Sequence, residues 1–69
     1  MPLTMVRAGE TRRIERITGR DETRQFLHTL GFIEGENVTV IAEQFGNVIL
    51  NIKNTRVALS SKMAKRVMV

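Results

Sequence analysis

Hydrophobic and polar positions follow different rhythms in the two halves of the chain. In residues 37–43, 47–53 and 55–60 (NVTVIAE, NVILNIK, TRVALS) β-branched and aliphatic residues predominate. That pattern predicts three strands. Phe45-Gly46-Asn47 turns the first into the second. Lys53-Asn54 turns the second into the third, with Asn54 suited to a positive φ. Upstream, residues 11–18 (TRRIERIT) have the β-branched content of another strand. Ile14 and Ile17 are three apart, so strict alternation fails. Either this strand carries a bulge or one isoleucine faces outward.

Between these regions the period becomes helical. On a helix over residues 22–30, Thr23, Phe26, Leu27 and Leu30 share one face, and Arg24 and His28 share another. Gly19-Arg20 turns the chain into this helix, Asp21 is placed to cap it, and Glu22 suits its positive end. Gly31 falls where a left-handed residue closes a helix, because it has no Cβ to clash, and the next residue, Phe32, then packs back on Leu27. Residues 3–9 read as an irregular arm held by Leu3 and Val6 and broken at Gly9. Ser60-Ser61 caps one helical turn through Lys62–Lys65, and residues 66–69 form a last short strand. The expected architecture is mainly β, a small barrel of about five strands in one domain over residues 1–69. One short helix follows the first strand and a helical turn precedes the last. A flat sheet of this size would leave apolar edges open.

The segment LHTLGFIEGENVTVI places an apolar pair, Phe32-Ile33, in a short loop between Gly31 and Gly35. Such a loop has room for one of the two to pack fully inward. The other becomes an exposed anchor of the kind that dominates small interfaces. Ile33 is the expected outward residue; the alternative is that both belong to the core.

Composition narrows the function. A domain of 69 residues buries only about 60% of its unfolded surface, which leaves little room for an enclosed active site. Ser, His and Asp all occur, but no nucleophile elbow does. There is no cysteine, hence no disulfide and no thiolate nucleophile or ligand. No apolar run exceeds three residues, and the N-terminus MPLTMVRAGE lacks a signal-peptide core. These features favour the cytosol and no stable membrane insertion. His28 is the sole histidine, on the polar helix face without a partner one turn away. It reads as an exposed helix residue, not a metal ligand. Met1, Met5, Met63 and Met68 show no repeated spacing, and the five glycines form no phosphate loop. No cofactor is expected.

The net charge is +4, with eight arginines against three lysines. Arg12, Arg13, Arg16, Arg20 and Arg24 form a basic run, which raises nucleic acid as a partner. Against it, the chain has no Trp or Tyr, its three Phe lie at turns or on the helix core face, and Glu10, Glu15, Asp21 and Glu22 interrupt the run. A metal-responsive module is a further alternative, one that would need ligands from a second subunit.

LHTLGFIEGENVTVI, followed by a Gly turn, RVALS and a terminal AKRVMV, resembles the FeoA family over nearly the whole chain. Leu30-Gly31-Phe32, Gly35 and Val38 carry the most specific part of the likeness. The resemblance implies an SH3-like barrel and a cytoplasmic accessory protein without enzymatic activity. It also implies a partner, the membrane ferrous iron transporter FeoB with its cytosolic GTP-binding region. The expected partner surface combines Phe32 and Ile33 with Arg24 and His28 of the helix and with Arg56, whose guanidinium suits acidic groups. Exposed strand edges also leave room for a weak homodimer.

Overall fold

Two tight hairpins organise the molecule. In a computed structural model describing residues 1–69, β3 (Asn37–Gln44) folds onto β4 (Asn47–Ile52), and β4 onto β5 (Thr55–Ser60). Each hairpin turns on two residues with positive φ: Phe45 (52°) and Gly46 (79°), then Lys53 (49°) and Asn54 (61°). Positive φ at both central positions is the type I′ turn, whose twist matches that of the strands it joins. One bulge interrupts the ladder, between Val40 and Ala42.

The segment 11–18 is two strands, not one. β1 (Thr11–Arg13) pairs with β3, giving the sheet order β1-β3-β4-β5, while β2 (Arg16–Ile17) leaves to pair with β6 (Val67–Met68). The chain turns a corner at Ile14-Glu15. There the Ile14 N–H donates to the Glu36 carbonyl, the Gly35 N–H to the Ile14 carbonyl, and the Glu15 N–H to the Met68 carbonyl, each at 2.8 Å. The corner explains the broken alternation: Ile14 and Ile17 are both buried in the one core, and neither a bulge nor an outward isoleucine is needed. The two sheets close a small SH3-like barrel around Leu3, Leu27, Phe32, Leu50, Ile52 and Leu59.

α1 (Glu22–Thr29) begins at Asp21, whose carboxylate accepts the Arg24 N–H at 3.2 Å. It ends in a Schellman motif. The Gly31 N–H donates to the His28 carbonyl and the Phe32 N–H to the Leu27 carbonyl, both at 3.0 Å, with Gly31 at φ 104°. Phe32 and Leu27 are both fully buried, so the expected lock forms. The expected apolar helix face is narrower than its spacing suggests. Leu27 alone is buried, Leu30 caps the helix at the core margin, and Phe26 is 47% exposed. With one turn of α1 against the barrel, the position next to Leu27 points away from it. α2 (Ser61–Ala64) is a single turn in which the Ser60 hydroxyl accepts the Met63 N–H.

Candidate functional site

The Schellman reversal folds residues 33 and 34 back beside α1. It brings the Glu34 carboxylate to 3.6 Å from the Arg24 guanidinium and 3.9 Å from His28 Nε2. Arg24 and His28 are four apart on one helix face, so a single carboxylate spans both. Glu34 lies below the usual carboxylate range. Its own backbone N–H is the main cause, with the His28 and Arg24 charges adding to it against a cost of partial desolvation. His28 differs from the exposed helix residue expected. Its side chain is 31% exposed, and Nε2 is shut off from solvent with no hydrogen-bond partner. No third side chain of a ligand type converges on His28 and Glu34. Two donors fall short of the four a closed zinc site uses.

Of the residues expected at a partner surface, the structure brings Arg24 and His28 into one cluster beside the Ile33 loop. Ile33 is half-buried and Phe32 is fully buried. Phe32 therefore offers no surface to a partner, because its ring fills the space over Leu27 that the Schellman motif creates. Arg56 stands apart. It is exposed on edge strand β5, in register with Asn51 of β4, and makes no ion pair. Glu34 was missed by reasoning along the sequence, where it looks like one of several scattered acids. The signal was the helix-closing Gly31, which sends the chain back along the helix.

A groove opens at the other end of α1, with a volume of about 790 Å³. Arg16, Arg20, Arg24 and Gln25 line it, together with Gly19 and Asp21. The basic run of the sequence is thus split. Arg16, Arg20 and Arg24 meet at this groove, while Arg12 of β1 pairs with Glu10, just before the strand, at 3.3 Å.

The sequence profile of the FeoA domain matches residues 1–69. The chain belongs to the FeoA family. The crystal structure of an iron uptake regulatory protein, FeoA, superposes with a TM-score of 0.89 at 31% identity, covering 99% of this chain and 90% of that one. FeoA of Stenotrophomonas maltophilia, solved with zinc, superposes at 0.89 with 28% identity over 100% of this chain and 88% of that one. That protein is described as a prokaryotic SH3-domain protein suggested to activate bacterial ferrous iron transport. T. acidophilum IdeR shares the fold, with a TM-score of 0.90 at 23% identity, and this chain covers 32% of it. A search of curated proteins gave no match. No helix of this FeoA protein is long and apolar enough to cross a membrane.

Proposed function

We propose that this FeoA protein is a cytoplasmic, non-enzymatic adaptor of ferrous iron transport. It docks on the cytosolic GTP-binding region of the membrane transporter FeoB and modulates transport or GTP turnover. The observation that carries the reading is the loop between Gly31 and Gly35. Phe32 is locked inside, while Ile33 remains half-open beside the charged Arg24–His28–Glu34 cluster. An apolar anchor ringed by polar side chains is the anatomy of a small protein interface. A rigid helix cap holds the anchor, so little ordering entropy opposes docking. Arg56, on the sheet's edge strand, is a second contact only if the partner reaches around the barrel.

Family membership supports the iron-transport setting, and the suggested activating role of the Stenotrophomonas maltophilia protein points the same way. The test is a backbone amide NMR titration of the labelled protein with the isolated GTP-binding region of FeoB, with a short single-stranded oligonucleotide in parallel. Shifts confined to residues 24–35, and only with the protein partner, support the adaptor. Shifts along Arg12–Arg24 with the oligonucleotide alone replace it with a nucleic-acid function.

A further inference from the structure

The groove at the N-terminal end of α1 is built so that three arginines are left without partners of comparable strength. Its floor is Arg66. That guanidinium donates through Nε and Nη2 to the Thr18 carbonyl at 3.1 and 2.8 Å, and through Nη1 and Nη2 to Asp21 at 3.1 and 2.8 Å. It lies directly under Gly19, where any Cβ would collide with it. Arg66 and Asp21 thereby cancel each other's charge. Arg16 and Arg20 are exposed and form no ion pair. Arg24 reaches Glu34 only at 3.6 Å, beyond a direct hydrogen bond. The groove thus carries an excess of positive charge on planar, forked donors.

We infer that this groove binds an extended acidic segment of a protein, each guanidinium taking a carboxylate. Guanidinium forks match carboxylates bidentately. Phosphate ligands fit less well for two reasons. The Asp21 carboxylate already occupies the N-terminal cap of α1, accepting the Arg24 N–H, so the backbone donors that cradle a phosphate dianion face a fixed negative charge instead. The lining also has no aromatic side chain on which a base could stack, its one apolar residue being the buried Ile17. The groove is open to solvent, and Gln25 in its lining has an amide that can pair with peptide backbone. This site is distinct from the Ile33 loop and shares only Arg24 with it.

The experiment is a fluorescence anisotropy titration of the full-length protein with fluorescein-labelled octaglutamate, at low salt and at about 0.15 M salt, where exposed charges are screened beyond about 8 Å. The wild type is expected to bind. The Arg16→Gln/Arg20→Gln double variant, both positions on the surface, is expected to bind at least roughly tenfold more weakly, the effect of losing hydrogen bonds between charged groups. Its circular dichroism stays unchanged. Ile33→Ala, which adds no charge beside Arg24, is expected to bind octaglutamate like the wild type, which separates failure of the groove from failure of the loop. The proposal is overturned if octaglutamate does not bind, or if the double variant binds it equally well. It is overturned too if tripolyphosphate or octathymidylate displaces the label as effectively as unlabelled octaglutamate.

Discussion

Arg66 holds Asp21 in a two-pronged ion pair across 45 positions of sequence, with Nη2 2.8 Å from Oδ1 and Nη1 3.1 Å from Oδ2. The pair joins the segment entering β6 to the residue that starts α1. A lone surface ion pair contributes little, because water screens it and long side chains lose freedom. This one differs in geometry. The Arg66 side chain is only 23% exposed, its guanidinium is fixed also by the Thr18 carbonyl, and its fork is matched at both oxygens. It is a strut between the small sheet and the helix.

Gly19 is the residue that admits this strut. Its φ is 86°, and a Cβ there would collide with the Arg66 guanidinium. Gly19→Ala should destabilise the protein by about 1–3 kcal/mol, from backbone strain plus displacement of the strut. In an Arg66→Ala background the collision is gone and only the backbone part remains. A double-mutant cycle by urea unfolding should therefore give a coupling of about 0.5 kcal/mol or more. Strict additivity would mean that Arg66 swings aside freely and holds nothing.

Asp21 makes acid stability depend on the same strut. Its carboxyl is held below its ordinary 3.8, first by the Arg66 hydrogen bonds and then by the Arg24 N–H. The unfolded chain therefore takes up a proton at higher pH than the folded one, so stability rises with pH in that window. The contribution is complete above about pH 4 and is lost as pH falls through the folded value. Asp21→Asn should flatten the stability profile below about pH 4 while also lowering stability at neutral pH. Thermal melts from pH 2 to 7 check it; parallel profiles for the two proteins would place acid sensitivity in Glu10 and Glu34, whose carboxyls are also lowered.

Local chemistry made much of this fold legible. Asp21, Gly31, Asn54 and Ser60 each act within a few residues of their partners, so the helix cap, the Schellman lock, the second hairpin turn and the last helical turn all lie where the sequence places them. What stayed hidden depends on distant partners. The corner at Ile14-Glu15 exists because Glu36 and Met68 supply its hydrogen-bond partners. The exposure of Phe26 depends on how α1 leans on the barrel, which no helical wheel records. At the candidate site the Ile33 loop and the Arg24/His28 pair were readable. Glu34 was not, since only the chain reversal after Gly31 brings it to them.

The loop reading has a sharp test in Ile33→Asp. Ile33 is only half-buried, so a charge there can reach water and the fold should survive, with unchanged circular dichroism and a loss of Tm of a few degrees at most. Binding to the FeoB GTP-binding region, measured by calorimetry, should drop by roughly 30-fold or more, the typical effect of removing a central anchor. Phe32→Ala should behave oppositely, costing about 3–5 kcal/mol of stability by emptying the space over Leu27. Unchanged affinity in Ile33→Asp would move the interface away from this loop.

Phe45 occupies the first central position of a type I′ turn at φ 52° and is fully exposed. Both facts work against stability. A bulky side chain in the left-handed region costs about 1–2 kcal/mol, whereas Asn adopts it readily. The exposed ring has no packing to lose. Phe45→Asn, which completes an Asn-Gly turn with Gly46, should therefore stabilise the protein by about 0.5–1 kcal/mol. For a domain of this size that is a rise in Tm of about 2–8 °C, read by calorimetry. An unchanged or lower Tm would mean the ring stabilises the folded state through a contact absent from this structure. A stabilised variant would show that the ring at the hairpin tip is not needed for the fold.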